Sequence, residues 1–238
     1  MSNQETLKHG QKHIKEIQDY YDAFLASQPG KWSSLEEFRS RYEPVLSFLQ
    51  KISKSDSKIL DIGCGTGMAA EKLRAFGKVY GVDISPKSIS EARDRLDNVC
   101  VALGEEPPFK GEAFEVIVCT ETIEHFLDPV RALDEFNRVL KAGGYLIIST
   151  PNPWCWLAVL DRIIAMLRRR KAGSGQIVEN YISPMKLKGM LNRSGFEIKE
   201  FRTVYTKPEC VYRIIRRLLN SLYLFGLYQI YLVRKAVH

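Results

Sequence analysis

The sequence lacks most of the features that assign a protein early. It has five cysteines in 238 residues (Cys64, Cys100, Cys119, Cys155 and Cys210), and no two stand in a Cys-x-x-Cys pair. An odd, scattered set excludes a disulfide scaffold and a paired-cysteine zinc site, and a reducing cytoplasm is the simplest compartment for it. No apolar run reaches the roughly 18 residues of a membrane span. The two nearest are Trp154 to Leu167, broken by Asp161 and Arg162, and Leu218 to Val233, which contains Asn220, Ser221 and Gln229. The first ten residues are polar and charged, so no secretory leader is expected. Internal repeats and low-complexity tracts are absent. Disorder is excluded as well, because 45% of the residues are hydrophobic.

What the chain does have is length and positive charge. At roughly 150 residues per domain, it makes one large domain or two small ones. Thirty-five Lys and Arg against 28 Asp and Glu leave a net charge of +7. That balance suits an anionic partner, nucleic acid or lipid headgroup, without choosing between them.

The first fifty residues have helical periodicity. Ile14, Ile17, Tyr20, Tyr21, Phe24 and Leu25 recur at helical spacing, and Pro29-Gly30 ends the pattern. A second helix, Ser34 through Leu49, opens on a capping box and is expected to bend or restart at Pro44. From Lys58 short apolar strands alternate with amphipathic helices. Strands are expected at Ile59 to Ile62, Val79 to Asp83, Val99 to Leu103, Val116 to Cys119 and Tyr145 to Ser149. Helices are expected from the glycine loop to about Phe76, from Pro86 to Leu96 and from Pro129 to Leu140. This rhythm predicts βαβ units and a doubly wound, mostly parallel sheet. Further on come a helix at Pro184 to Arg193, a strand at Phe196 to Val204, a helix at Pro208 to Leu222 and a last strand at Leu227 to Val233.

Asp61-Ile62-Gly63-Cys64-Gly65-Thr66-Gly67 leaves a strand and opens a helix. Glycines there let the backbone turn tightly against a ligand, and the helix start offers free N–H groups. Met68 stands where a dinucleotide fingerprint wants its last glycine, which argues against NAD. Asp83 ends the next strand, twenty positions after Gly63. An acid there can accept both hydroxyls of a ribose, so loop and acid together predict an adenosyl cofactor.

Four segments then occur in order: Ile59 to Gly67, Gly81-Val82-Asp83-Ile84-Ser85, Glu121-Thr122-Ile123-Glu124-His125-Phe126-Leu127-Asp128-Pro129, and Arg138-Val139-Leu140-Lys141-Ala142-Gly143-Gly144. This series resembles the class I S-adenosylmethionine-dependent methyltransferases over about Lys58 to Pro153. Tyr181-Ile182-Ser183-Pro184 and Ser194-Gly195-Phe196 resemble, more loosely, the substrate side of the ubiquinone-biosynthesis O-methyltransferases. The resemblance implies a Rossmann-like seven-stranded sheet with an antiparallel last strand and an N-terminal helical cap. It implies that Asp61 orients the methionine amino group and that Gly63, Cys64, Gly65 and Gly67 line the methionine and ribose. Asp83 would hold the ribose hydroxyls, with Ile84 and Cys119 completing the cofactor lining. The chain departs from the family after the third strand, where Leu103 stands at the position of an adenine-contacting acid, and Glu105 is the nearest substitute.

Glu121, Glu124 and His125 share a helical face if the segment is helical. Three readings are open. His125, backed by Glu124, can be a general base for an acceptor hydroxyl. All three can hold a divalent cation such as Mg2+, which would acidify a coordinated hydroxyl. Or Glu124 and His125 only pin the following loop.

Beyond Pro153 the composition changes. Trp154, Trp156 and large aliphatics lead to Arg168-Arg169-Arg170-Lys171 and then to Gly173 to Gly175, and Arg213, Arg216 and Arg217 adjoin another apolar run. Such a segment suits an anionic membrane surface or a lid over a greasy substrate, whereas the spaced aromatics of a nucleic-acid groove are missing. The expected organisation is one domain, with a helical cap at 1–55, a cofactor-binding core at 56–153, a substrate lid at 154–195 and closing strands and helix at 196–238. The expected activity is O-methylation of an apolar small-molecule acceptor by a cytoplasmic enzyme that touches the membrane peripherally. A sugar or natural-product acceptor is the enzymatic alternative. A non-catalytic adenosyl-binding, membrane-associated module is the alternative of another class.

Overall fold

A computed structural model describes residues 14–23, 35–155, 166–167, 180–204 and 226–237. The basic run Arg168 to Lys171, the Gly173 to Gly175 hinge, most of the proposed lid, the capping box at Ser34 and the helix expected from Pro208 lie outside the described residues. Among the described residues no helix is long and apolar enough to cross a membrane.

Seven strands form one sheet: β1 Lys58–Ile62, β2 Lys78–Asp83, β3 Asn98–Val101, β4 Phe114–Thr120, β5 Leu140–Pro151, β6 Phe196–Val204 and β7 Tyr228–Lys235. Their order across the sheet is β3-β2-β1-β4-β5-β7-β6. The first five are parallel, and β7 enters antiparallel between β5 and β6. β1 and β4 are near-continuous apolar runs because helices cover both faces of a parallel sheet. Leu60, Ile62, Ile117, Leu146 and Ile148 join the core on one face, and Ile59, Val79, Val116, Val118 and Ile147 the core on the other.

The helices are α1 (14–23), α2 (Leu35–Ile52), α3 (Ala70–Leu73), α4 (Pro86–Ala92), α5 (Pro129–Val139) and α6 (Pro184–Arg193). Three of them start alike. Ser85, Asp128 and Ser183 are N-caps whose side chains accept backbone N–H bonds, each followed by proline at the first helical position. α2 continues through Pro44 without restarting. α3 is one turn, continued by a 3-10 turn at Arg74–Phe76, and is shorter than its apolar pattern predicts.

The register puts the strand ends that matter along one edge. Ile62 pairs with Val82 and Cys119, and Thr120 with Ser149. The chain moves outward from β1 to β3, then returns to β4 on β1's other side. That reversal opens a crevice at the carboxyl ends of β1 and β4, where open α/β sheets bind ligands.

Candidate active site

The glycine loop is tied to β2 by bonds that Gly63 N and Cys64 N donate to the Val82 carbonyl (2.8 and 3.1 Å). Gly63, at φ +75°, leaves no room for a side chain, since an added Cβ would lie 2.4 Å from Thr122 Oγ1. Gly65, at φ +54°, is the opposite case: an added Cβ would meet nothing within 4 Å. Gly65 thus presents bare backbone to open space, as a ligand cradle requires. Gly67, at φ +79°, closes the loop against Ala92.

Asp83 accepts from Gly65 N at Oδ2 and from Ser85 N at Oδ1, both at 2.9 Å. Each oxygen keeps a further lone pair for a ligand hydroxyl. Burial raises the Asp83 carboxyl above its ordinary pKa, partly offset by those N–H groups, and the nearby Asp22 charge raises it further. Asp61, only 3% exposed, sits in β1 opposite Gly81 and Val118. Burial, and then the Asp83 charge, push its pKa up to about 7. Half-buried Ile84 follows Asp83. The Cys64 thiol packs over Gly81, where a Cβ would come within 2.7 Å of the sulfur. Its pKa is pushed up by burial and by Asp61 and Asp83. Cys119, fully buried near the end of β4, is raised by burial and by Glu124, Asp61 and Glu121. A neutral thiol thus lies among the carboxylates of the loop and of the segment after β4.

Glu105 is buried, and its Oε1 accepts from Leu127 N at 2.7 Å. It ties the loop after β3 to the loop after β4. Gly104 beside it packs under the Phe126 ring, which would stand 2.5 Å from an added Cβ.

The Glu-x-x-Glu-His segment is not the helix that its spacing suggests. Glu121 adopts φ +52°, an unusual conformation for glutamate. Its N–H reaches the carbonyl and Oγ of Ser149 (3.1 and 3.2 Å), and its Oε1 accepts from Ser149 Oγ at 2.7 Å. Only Ile123–His125 form a 3-10 turn. Glu124 is 3% exposed, with Oε1 3.8 Å from His125 Nε2. The His125 side chain is 18% exposed, and its ring meets Tyr21 of α1 edge-on at 6.1 Å. Asn180 clamps the turn from the far side, donating to the carbonyls of Glu124 and Phe126.

Glu124 and His125 therefore come together, and Glu121 is turned toward β5. Among the described residues no three His, Cys, Asp or Glu side chains gather as a metal site. The expected Glu121, Glu124, His125 set for Mg2+ does not assemble here, because the left-handed backbone at Glu121 takes it off the face shared by the other two.

Sequence reasoning missed Tyr21, Asp22, Thr122, Ser149 and Asn180. Thr122 lies inside the segment quoted after β4 and Asn180 adjoins Tyr181-Ile182-Ser183-Pro184, but only the packing against Gly63 sets Thr122 apart. Tyr21, Asp22 and Ser149 carry no local signal, since their partners are far away in the chain.

A glycine loop at the switch point, with an acid closing the next strand, defines a Rossmann-like protein that holds an adenosyl cofactor. The chain matches the methyltransferase-domain family over residues 35–200, more than half its length. It belongs to that family and is an S-adenosylmethionine-dependent methyltransferase. Ubiquinone biosynthesis O-methyltransferase of Nitrosomonas europaea is 28% identical over 182 residues, covering 69% of this chain and 76% of that protein. The protein of that name in Xylella fastidiosa is 28% identical over 209 residues, covering 80% and 83%. Among solved structures, a methyltransferase complexed with the Trm112 methyltransferase activator of Haloferax volcanii aligns at TM-score 0.67 and 16% identity, covering 93% of this chain and 98% of that one. A methyltransferase from Thermotoga maritima aligns at TM-score 0.61 and 24% identity, covering 94% and 98%. These structural likenesses concern the fold.

Proposed function

We propose that the protein transfers the methyl group of S-adenosylmethionine to a hydroxyl oxygen of an apolar, lipid-like small molecule. The residues fit this cofactor on their own chemistry. Its ammonium and sulfonium are cations, and Asp61 is a buried carboxylate that forms no ion pair among the described residues. Its ribose offers two adjacent hydroxyl donors, and Asp83 has acceptor capacity beyond its two backbone bonds. Gly63, Gly65 and Gly67 let the backbone approach the cofactor, with Cys64, Ile84 and Cys119 as apolar lining. The cofactor, when bound, supplies a methyl group already activated on sulfur, so the protein's work is alignment and removal of the acceptor proton.

The observation that carries the oxygen acceptor is the Glu124–His125 pair at the end of β4. A partly exposed imidazole with a buried carboxylate 3.8 Å behind it can take a hydroxyl proton, and the carboxylate stabilises the imidazolium that forms. The relatives named as O-methyltransferases of ubiquinone biosynthesis support both the oxygen and the apolar acceptor.

The test is product detection with labelled S-adenosylmethionine and a series of alkylated phenols and catechols, run beside sugars and amines. Transfer confined to apolar hydroxyl compounds is expected, and transfer confined to sugars or amines overturns the reading. His125→Ala is expected to lower kcat by about 10²–10⁴-fold while cofactor binding is retained.

A further inference from the structure

α1 reaches the site at both ends. Toward the adenosyl side, the Ser85 hydroxyl donates to Asp22 Oδ1. Ser85 is also the N-cap of α4, accepting from Ser88 N at 3.0 Å, and it donates its own N–H to Asp83 Oδ1. One serine therefore links three things: the carboxylate expected at the ribose, the start of α4 and the α1 helix. Toward the acceptor side, the Tyr21 ring meets the His125 imidazole. Ile17, one turn before Tyr21, is buried, which seats the helix. Exposed Lys15 and Asp19 mark the outer face of α1.

We propose that Asp22 is a cofactor-positioning residue, acting through Ser85 on Asp83 and fastening α1 across the mouth of the adenosyl site. Two carboxylates held at one serine, neither in an ion pair among the described residues, form an arrangement of acceptors. It becomes favourable when adjacent hydroxyl donors enter beside Asp83. Asp22 fixes the Ser85 hydroxyl, and Ser85 fixes the Asp83 rotamer that must meet the ribose. The same bond sets the position of α1, so cofactor entry and the seating of Tyr21 on His125 are coupled.

Calorimetric titration of the full chain with S-adenosylmethionine and with S-adenosylhomocysteine tests the assignment. Asp22→Ala is expected to weaken both ligands about tenfold. Asp22→Asn, whose amide oxygen still accepts from Ser85, is expected to weaken them about threefold. Asp19→Ala, on the outer face of the same helix, is expected to bind as wild type. Ser85→Ala, which also removes the α4 cap, should weaken binding at least as much as Asp22→Ala, and adding Asp22→Ala to it should cost nothing further, because Asp22 acts through the Ser85 hydroxyl. A structural role alone would lower melting temperature and leave both dissociation constants unchanged. That result, or a double variant whose losses multiply, overturns the proposal. Should Asp22→Ala fail to fold, the Asp22→Asn and Ser85→Ala cycle gives the same decision.

Discussion

Acid should loosen the cofactor through Asp61. A cationic ligand group beside this carboxylate requires it ionised, and burial together with the Asp83 charge places its pKa at about 7 in the ligand-free protein. Such a group is about nine-tenths ionised at pH 8, one-tenth at pH 6 and one-hundredth at pH 5. The dissociation constant of S-adenosylmethionine should therefore rise about tenfold from pH 8 to pH 6 and about tenfold more by pH 5. Asp83, raised in the same direction, can only steepen the slope. Calorimetry at pH 6 in buffers of different ionisation enthalpy should count up to about one proton released per ligand bound. Asp61→Asn should flatten the pH profile and bind more weakly at pH 8. The same variant should gain stability without ligand, and the sign follows from the proton balance. The folded state holds the Asp61 proton more tightly than the unfolded chain, so ionisation destabilises the fold. The penalty is absent below about pH 4, grows between pH 4 and pH 7, and is complete above that range. Three pKa units set its ceiling at about 4 kcal/mol. Wild-type affinity constant within twofold between pH 5.5 and pH 8, with Asp61→Asn titrating in the same way, would refute the reasoning.

The remaining predictions are shorter. Gly63→Ala combines a positive φ with a methyl group driven into Thr122, and should cost more than about 1 kcal/mol while abolishing tight cofactor binding; a thermal melt and a titration check both parts. Gly104→Ala forces the Phe126 ring and Ile62 apart from the loop, and should destabilise by about 1–3 kcal/mol in denaturant titration. Because Glu121 is held by Ser149, activity should survive EDTA unchanged. Loss of activity that Mg2+ restores would show that Glu121 leaves Ser149 for a metal.

Much of the sheet was legible in the sequence because buried parallel strands are written as short apolar runs. β6 and α6 fall on the residues expected, and each Ser-Pro or Asp-Pro step at 85, 128 and 183 caps a helix. β5 was undersized, since Leu140 joins the strand through pairing with Phe114 of β4, across a register shift that precedes Tyr145, and no local pattern marks that pairing. The glycine loop was legible as a turn for a different reason: glycines with positive φ are a local requirement, and Gly63, Gly65 and Gly67 all have it. The metal set at Glu121, Glu124 and His125 does not assemble because the shared face it needs assumes a regular helix. The left-handed turn at Glu121 is stabilised from Ser149, 28 residues away, and no periodicity reports a contact of that kind.

The charge total was equally silent about the site, for a physical reason. A sum of +7 is taken over the whole chain, whereas the site gathers Asp22, Asp61, Asp83, Glu121 and Glu124 around a cluster of strand ends and two neutral thiols. Low local dielectric makes those few acids count for more than many exposed lysines. Burial first, and then the Asp83 charge on Asp61 and the Asp22 charge on Asp83, raise the pKa values of these two carboxyls. The rise is the expected cost of burying acids where a cationic ligand is to be met. The stability that burial of Asp61 and Asp83 costs should therefore return when S-adenosylmethionine binds, which a rise in melting temperature would register.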